Sequence, residues 1–420
     1  MRSLSWVLIV LGAGILPQGA WESLAAGSSA IESAVIPDDG SVAEVIRRIA
    51  DGGTITVRPG IHLVEQRINT TSNRVTLRGE PGAVIRAAST LTGSAMLDIR
   101  GSGWLIEGLV FDGQFCPARG LKTRGSTRGF TIRKCEVRNW GYHALDLDGS
   151  DLLVENCRIH DNLKTTATGQ RDDAHGVATL HAQGLTIRGC RIWNCSGDSV
   201  QPDRGSWQNV VIEDCDMYLE PLADDMGGFR RGDLVGENAL DTKKAATDER
   251  GVVVVDNCRA WGFRNPREGS WAAFNLKEKV QVTVTGCTVR DSMIAFRLPS
   301  WRKGGRLHCE IRDCQISECD TAFRIEDQWK NDINEPGGSV VARCRVTGCQ
   351  TGVEFTEAGG PSGQGVFEAG SSITESVFSP AMTLRLRGGN QPARNALRQQ
   401  LLAAGNTEES TRPRRGPARR

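Results

Sequence analysis

The chain has 420 residues, with 51 lysines and arginines against 50 aspartates and glutamates, so its formal net charge is +1. Because the charges balance so closely, the chain as a whole has no attraction to nucleic acid or to an anionic membrane, and we expect neither as a partner. Glycine is abundant, at 49 residues, and only 5% of the residues are aromatic. This composition favours a chain that turns often, so internal repeats are sought first.

The N-terminal segment has the pattern of a secretory signal. Arg2 provides a positive charge, an apolar run from Trp6 to Leu16 follows, and small residues continue to Ala30. The apolar run is shorter than the ~20 residues that a membrane span requires. We therefore predict a signal peptide over residues 1–26, with cleavage between positions 20 and 30, and a secreted or periplasmic protein.

A short helix is predicted ahead of the first strands. Val42, Val45, Ile46 and Ile49 have helical spacing, and the pattern ends at Gly52-Gly53. Short β-type runs broken by glycine and proline follow. A helix in this position suits the open end of a stack of strands, so we expect it to act as an N-terminal cap.

The middle of the chain repeats one β-type segment that contains a cysteine. The steps between successive cysteines of this column are 22, 33, 25, 43, 29, 27 and 30 residues. Repeats of this length, with several short strands and no helices between them, predict an all-β solenoid, a parallel β-helix of about nine to eleven coils over residues 37–380. The column consists of Cys135, Cys157, Cys190, Cys215, Cys258, Cys287, Cys314 and Cys344. Residues 381–420 are predicted to be an extension, with a helix from Asn395 to Ala404 and a basic, disordered tail.

Stacked coils bring the cysteines of the column together inside the core, where free cysteine behaves as a small hydrophobic residue. Zinc requires ligands that converge on one point, which a ladder does not provide. We therefore predict a buried, mostly reduced ladder. Disulfides remain open for the cysteines outside the column, which are Cys116, Cys195, Cys309, Cys319 and Cys349.

Each coil contains a second strand whose apolar residues alternate inward, so its third and fifth positions are predicted to face solvent. The third position contains, in order, Asp146, Ala178, Gln201, Asp241, Asn275, Arg297, Arg324 and Glu354. The fifth contains Asp148, Leu180, Asp203, Lys243 and Lys277. We call these two columns the strip; it is acidic towards the N-terminal coils and basic towards the C-terminal ones. Two long insertions, 161–174 and 219–235, are expected to form its walls.

The strip combines residue types that suit proton abstraction next to a carboxylate. Its aspartates have oxygen ligands for a hard cation such as Ca²⁺, and the predicted ligands are Asp148, Asp198, Asp203 and Asp241. Lys243 or Lys277, with a pKa lowered by nearby cations, would be the base. Arg297 or Arg324 would clamp a substrate carboxylate, and Asn275 beside them is predicted to bind the substrate as well. The chemistry predicted is β-elimination in a chain of uronic acids.

These repeats resemble the right-handed parallel β-helix, pectate-lyase-like superfamily over about residues 37–380. A narrower resemblance, to family 9 polysaccharide lyases, is carried by Glu237-Asn238-Ala239-Leu240-Asp241-Thr242-Lys243 followed by Cys258-Arg259-Ala260-Trp261. In that family a lysine at the end of such a strand is the Brønsted base, with an aspartate-bound Ca²⁺ beside it. The resemblance implies that Lys243 is the base.

Other residues near the strip have alternative interpretations. His175, in Asp172-Asp173-Ala174-His175-Gly176, suits either a turn or a general acid–base role of the kind found in hydrolases. Trp271 and Trp301 could stack on sugar rings or pack against an insertion. We thus expect a monomeric, Ca²⁺-assisted lyase that acts on an acidic polysaccharide. The alternatives are a hydrolase or uronate epimerase on the same scaffold, and a solenoid that binds carbohydrate without catalysis.

Overall fold

The computed structural model of the chain describes residues 30–245, 249–265, 272–299, 301–302, 305–326, 338–356, 371–386 and 391–409. The predicted signal peptide and the basic C-terminal tail lie outside the described residues. In this part of the chain, no helix is long and apolar enough to cross a lipid bilayer.

The predicted capping helix is present at the N-terminal end. Helix α1, Val42–Arg48, begins after Ser41, and the side chains of Ser41 and Glu44 each bind the other residue's backbone N–H in a capping box. Its apolar face packs on the first strands of the solenoid. It ends earlier than the sequence pattern suggested, because Ile49 already begins a strand.

A second helix, α2, lies near the C-terminal end at Gln391–Ala403 and begins before the predicted start at Asn395. It buries Leu397 and Leu401 against the last coils. The strands Leu384–Leu386 and Thr407–Glu408 on either side of it still pair with the solenoid. The extension predicted for residues 381–420 therefore contributes to the solenoid as far as Glu408.

Within the described residues, most of the chain forms three parallel sheets of 13, 13 and 12 strands, with one strand of each sheet per coil. Sheet A consists of Ile31–Ile36, Ile49–Val57, Thr76–Gly79, Leu105–Glu107, Arg128–Arg133, Gly149–Glu155, Ala182–Arg188, Gln208–Glu213, Gly251–Asp256, Val280–Thr285, His308–Arg312, Gly338–Ala342 and Ser372–Thr374. Sheet B consists of Gly60–Val64, Ala83–Ala87, Val110–Asp112, Glu136–Arg138, Arg158–Asn162, Arg191–Cys195, Asp216–Tyr218, Arg259–Trp261, Thr288–Arg290, Gln315–Ser317, Arg345–Thr347, Val377–Ser379 and Thr407–Glu408. Sheet C consists of Ile68–Thr70, Ala95–Ile99, Arg119–Thr123, Leu145–Asp146, Val177–Thr179, Val200–Pro202, Leu240–Asp241, Ala272–Asn275, Ile294–Pro299, Thr321–Glu326, Thr351–Thr356 and Leu384–Leu386. Two antiparallel hairpins lie outside these sheets and pair Lys164–Thr165 with Arg171–Asp172 and Trp301–Arg302 with Gly305–Arg306.

The predicted cysteine ladder is buried inside the coils. The backbone N–H of Cys157 donates to Sγ of Cys190 at 3.4 Å, and that of Cys190 donates to Sγ of Cys215 at 3.4 Å. The same contact joins Cys258 to Cys287. All thirteen cysteines are free, and all are buried except Cys349, which is half-buried. The ladder therefore packs as an apolar column, as expected.

The solenoid has more coils than the nine to eleven predicted. The cysteine column continues with other residues at both ends: cross-strand pairing places Leu109 beside Cys135. At the far end the N–H of Cys344 donates to Ser376 Oγ at 3.1 Å, and the N–H of Ser376 donates to Asn406 Oδ1 at 2.9 Å. A count based on cysteine misses these coils, and the strands extend beyond the predicted limits of 37 and 380.

A stack of phenylalanine rings runs along the inner face of sheet C. The centroid of Phe296 lies 5.1 Å from that of Phe274 and 5.7 Å from that of Phe323, and the interplanar angles are 10° and 15°. All three residues are fully buried. Offset ring pairs add about 0.5–1.5 kcal/mol each to the burial of area, so the stack links three successive coils.

We expect Phe296→Leu to lower the free energy of unfolding by about 1–3 kcal/mol more than Phe111→Leu does, because only Phe296 has two stacked rings to lose. Phe111 is a matched control, since it is equally buried but lies between Ile85 and Val137 in the neighbouring coils. Urea unfolding followed by tryptophan fluorescence measures the difference. Equal losses in the two variants would assign the effect to volume alone.

Candidate active site on sheet C

The polar residues of the strip stand in one column of sheet C. Cross-strand pairs place Asp146, Ala178 and Gln201 on successive coils. In a second run each residue pairs with the one in the next coil, in the order Asp241, Asn275, Arg297, Arg324 and Glu354. The pairing of Val200 with Leu240 joins the two runs. The order predicted for the third position is therefore confirmed by the strand register.

Two charged residues that the sequence analysis missed precede Asp146 in this column. Asp98 pairs with Lys122, and Lys122 pairs with Asp146. Their coils lack the cysteine on which the repeat was counted. The signal was nevertheless present, since Gly120-Leu121-Lys122 has the same apolar alternation as the strands that were aligned.

The third-position column is buried except for the half-buried Arg324, contrary to the prediction that it faces solvent: Asp241 is 1% exposed and Glu354 is 0% exposed. The long cationic side chains lie along the column and pair with carboxylates of neighbouring coils. Arg297 donates two hydrogen bonds to Glu326, at 2.7 and 2.9 Å, and Arg324 donates one to Glu354 at 2.9 Å. Both guanidinium groups, predicted to hold a substrate carboxylate, are thus already bound to carboxylates of the protein.

The centre of the column is a carboxylate shared by two lysines. Lys277 Nζ lies 2.8 Å from Asp241 Oδ1, and Lys243 Nζ donates to Asp241 Oδ2. Asn275 Nδ2 also donates to Oδ1, at 2.9 Å, and Gln201 Nε2 donates to Oδ2 at 3.3 Å. The side chains of the two lysines are only 11% and 19% exposed. The cluster therefore has an excess of positive charge in a poorly solvated place.

The two lysines respond differently to this environment. Burial lowers the pKa of Lys277, and the neighbouring Lys243 cation lowers it further, against the opposing charge of Asp241. Burial also lowers the pKa of Lys243, but its ion pair and hydrogen bond with Asp241 outweigh burial and raise the pKa above the ordinary value. Lys277, rather than Lys243, is therefore the amine that gives up its proton more readily.

A buried hydrogen-bonded network lies on the N-terminal side of this cluster. Asp198, which is 0% exposed, accepts hydrogen bonds at 2.7 Å from Gln201 Nε2 and from Asn238 Nδ2. Burial, with the charges of Asp241 and Glu237, raises the pKa of Asp198 well above its ordinary value. Its backbone N–H donates to His175 Nδ1 at 2.8 Å, so the imidazole accepts at Nδ1. Burial lowers the pKa of His175 to about 4, which keeps the ring neutral at pH 7.

Asn275 has an acceptor without a partner at the centre of the site. Its Nδ2 is used by Asp241, while its Oδ1 is buried and makes no hydrogen bond. The reversed amide orientation would direct an oxygen at the carboxylate, so the orientation is fixed. A buried acceptor left unpaired costs free energy, and a donor supplied by a ligand would remove that cost.

The two long insertions form one wall beside the site. Leu163 from the first and Leu222 and Val235 from the second bury one another in a small core separate from that of the solenoid. Arg171, in the hairpin of the first insertion, donates to the carboxylate of Glu237, which directly precedes the Asp198-bound Asn238. The predicted position of the insertions next to the strip is thereby confirmed.

A cavity of about 270 Å³ lies elsewhere, at the corner between sheets A and B. Arg259 and Asp216 in its lining pair with each other at 2.6 and 2.7 Å, and Asn257 donates to Asp214 at 2.6 Å. The polar side chains of this cavity therefore pair with one another between coils. The Asp241 cluster differs, because it contains a buried acceptor without a partner, Asn275 Oδ1. We therefore place the candidate site on sheet C.

Comparison with protein families matches residues 95–218 to the model described as "Right handed beta helix region". With the three parallel sheets, this decides the handedness of the solenoid. The chain is a right-handed parallel β-helix. A comparison with curated protein sequences gives no match. The narrower likeness to family 9 lyases stays a prediction.

Several solved structures share this β-helix fold. The N-terminal fragment of the bacteriophage Phi29 gene product 12 matches with a TM-score of 0.54 and 13% identity, over 79% of this chain and 64% of that chain. A mannuronic acid specific family 6 polysaccharide lyase from human gut microbiota matches with a TM-score of 0.52 and 11% identity, over 88% and 84%. The Azotobacter vinelandii mannuronan C-5 epimerase AlgE4 A-module matches with a TM-score of 0.50 and 13% identity, over 81% and 100%. At these identities the likeness shows the fold alone.

The four carboxylates predicted to bind Ca²⁺ do not fit such an ion in this β-helix. Asp148 Oδ1 accepts the backbone N–H groups of Leu180 and His181, at 2.9 and 2.7 Å. Each oxygen of Asp198 accepts from a side-chain amide, and each oxygen of Asp241 is paired with a lysine. Asp203 accepts only the N–H of Arg204. Among the described residues no three His, Cys, Asp or Glu side chains are grouped to hold a metal.

The aromatic residues predicted to bind sugar rings cannot be placed at the site. Trp271 lies outside the described residues, and Trp301 is described only as part of the strand Trp301–Arg302. His175 belongs to the site, but as a buried neutral ring, 4% exposed. It stacks on His143, with ring centroids 4.6 Å apart. His143 was missed because it lies in the turn before its strand.

Proposed function

We propose that this β-helix is a polysaccharide lyase that removes the proton next to the carboxylate of a uronic acid and cleaves the chain by β-elimination. The observation that carries the proposal is the pair of poorly solvated lysines around one carboxylate, Asp241, with the pKa of Lys277 lowered. Because Lys277 gives up its proton more readily than Lys243, such a site can present a neutral amine beside an ammonium group. Proton abstraction next to a carboxylate requires both a base and a cation.

Lys277 is the base in this proposal. Its neutral amine takes the proton from the carbon next to the substrate carboxylate, and the C–H electrons form the new carbon–carbon double bond. The bond from the neighbouring carbon to the glycosidic oxygen then breaks, and that oxygen leaves with a proton. The ammonium of Lys277 is placed to return this proton, so that the amine is neutral again after each turnover.

Lys243 binds the substrate carboxylate in this proposal. Asp241 raises the pKa of Lys243 by more than burial lowers it, so Lys243 stays an ammonium when Lys277 gives up its proton. It thereby stabilises the charge that develops on the carboxylate as the proton leaves.

Asp198 and His175 act as positioning residues. Both are buried: burial raises the pKa of Asp198 well above its ordinary value and lowers that of His175 to about 4, which keeps the imidazole neutral at pH 7. Because burial favours the protonated form of Asp198, Asp241 is the counter-charge that pairs with the lysines. The amides of Gln201 and Asn238 hold this arrangement in place.

Polymannuronate is the first substrate to test. Two of the similar structures are named for mannuronate polymers, one as a lyase and one as a C-5 epimerase. Elimination and epimerisation both begin with removal of the same proton, so the lysine cluster suits either reaction. Elimination is preferred here because one lysine can serve as both base and acid on a single face of the sugar.

The test exposes the purified protein to polymannuronate, polyguluronate, polygalacturonate and hyaluronan, in water and in D₂O. We expect ultraviolet absorbance from the unsaturated product with at least one polymer, and none with Lys277→Met. Deuterium uptake without absorbance would identify an epimerase instead. New reducing ends without absorbance would identify a hydrolase, and binding without turnover a carbohydrate-binding solenoid.

Chelation is expected to leave the activity unchanged. The carboxylates of the site are occupied by lysines, amides and backbone N–H groups, so no step of the proposed reaction passes through a metal ion. The rate of absorbance increase is measured after dialysis against EDTA and again after addition of Ca²⁺. Loss of activity on dialysis with recovery on Ca²⁺ addition would contradict this arrangement.

A further inference from the structure

A second carboxylate shared by two cations lies further along the same column. Asp146 Oδ2 is 2.6 Å from Lys122 Nζ and 2.6 Å from the guanidinium of Arg119. The three side chains are 3%, 11% and 25% exposed, so the group is nearly as enclosed as the Asp241 cluster. As there, two cations face one carboxylate, and one positive charge is left over. We call Arg119, Lys122 and Asp146 the N-terminal centre.

In the third position of the strip, the two centres are separated by two uncharged residues, Ala178 and Gln201. Asp146 and Asp241 are three coils apart in the column, with Ala178 and Gln201 between them, a distance of roughly 14 Å. The rings that lie beside these positions are neutral as well, since burial lowers the pKa of both His143 and His175. A ligand along the third position therefore meets positive charge at each end and none between, while the fifth-position carboxylates of Asp148 and Asp203 beside it accept backbone N–H groups.

The N-terminal centre is bordered by an aromatic ring and a third cation. The guanidinium of Arg119 lies 4.4 Å from the centroid of the Tyr142 ring, and Lys164 Nζ lies 4.5 Å from it. Lys164 comes from the first insertion and pairs with Asp172 at 2.7 Å, so it brings no further excess of charge. The wall of the site thus reaches this centre and encloses it on one side.

We infer that the N-terminal centre is a second carboxylate-binding subsite, which holds a uronate unit of the same glycan roughly 14 Å from the unit that reacts. This inference rests on the proposed function. A glycan that spans both centres must have uronates several sugars apart. The protein should therefore select uninterrupted runs of uronic acid over polymers in which neutral sugars separate single uronates.

The experiment measures how affinity grows with the length of the ligand. Mannuronate oligomers from disaccharide to octasaccharide are titrated calorimetrically into Lys277→Met, in which no turnover occurs, and into the same protein with Lys122→Gln added. Lys122→Gln removes one charge-assisted contact, so the long oligomers should bind about tenfold more weakly. The increase in affinity with oligomer length should then largely disappear. Lys122→Gln leaves Asp146 paired with Arg119, and circular dichroism checks that the variant is folded.

Lys134→Gln is the matched control, because it removes one exposed lysine at the turn before sheet B and should keep the full gain with length. A gain that persists in Lys122→Gln would overturn the subsite. An equal gain with sulfated oligomers that lack carboxylates would overturn its assignment to carboxylates. Length-dependent binding without elimination by the unmodified protein would leave the subsite standing and remove the lyase proposal.

Discussion

Replacing Lys277 with methionine is expected to lower kcat/KM for elimination about 10²–10⁴-fold, which is the range that a general base contributes. Methionine fills the buried space of the lysine stem without an amine, and Asp241 keeps its ion pair with Lys243, so the fold should be retained. The initial rate of absorbance increase at several polymannuronate concentrations measures the loss. Lys277→Arg should be equally inactive, because arginine retains the charge but does not deprotonate.

The pH dependence of the rate separates the two lysines. The neutral amine is the active form, so the rate should rise with pH through a pKa below the ordinary lysine value, since burial and the Lys243 cation both lower the pKa of Lys277. In Lys243→Met one of these two causes is removed. The rise should then move to higher pH, and KM should increase because the substrate carboxylate loses its cation. If Lys243→Met were inactive at every pH while Lys277→Met kept its rate, Lys243 would be the base.

Sequence alone could predict the fold because its evidence is periodic. Each cysteine of the ladder fills one place in the core, and the capping box of Ser41 and Glu44 has a local signature. The coils beyond the predicted number have no cysteine at this position. Leu109 and Ser376 occupy it instead, and their side chains differ from cysteine. Pattern counting fails where packing accepts several residue types.

The site was predictable in its order but not in its electrostatics. The alternation of apolar residues placed Asp241 and Asn275 in one column, and the strand register agrees. Which lysine deprotonates depends on burial and on the direction of each ion pair, and neither can be read from spacing. The pairing of Arg297 with Glu326 is a case in point, because it depends on a long side chain that crosses to the next coil.

The resemblance to family 9 lyases was carried by the spacing around Lys243, and spacing does not distinguish this residue from its neighbour in the next coil. Lys277 occupies the same fifth position one coil later and pairs with the same Asp241. The difference is that Lys277 is more buried and has Lys243 beside it as a cation. The assignment of the base thus moves by one coil when three-dimensional contacts replace sequence order.

Replacing Asp241 with asparagine is expected to destabilise the protein by about 3–5 kcal/mol at neutral pH. The reason is that it removes the one carboxylate paired with two buried ammonium groups, and uncompensated buried charge is costly. The unfolding free energy from urea titration measures the loss. Asp203→Asn is the matched control: its carboxylate is half-buried and accepts only the N–H of Arg204, so the change should stay within about 0.5 kcal/mol.

The pH dependence of this loss identifies its cause. The folded pKa of Lys243 is raised, so its pairing with Asp241 stabilises the unmodified protein below the ordinary lysine pKa, and this contribution falls as the pH rises through the folded pKa. The asparagine variant lacks the contribution at every pH. The difference in unfolding free energy should therefore be greatest near neutral pH and shrink in alkaline buffer. A difference that stays constant would instead assign the role of Asp241 to its hydrogen bonds with Asn275 and Gln201, and would remove the charge imbalance on which both lysine-based proposals depend.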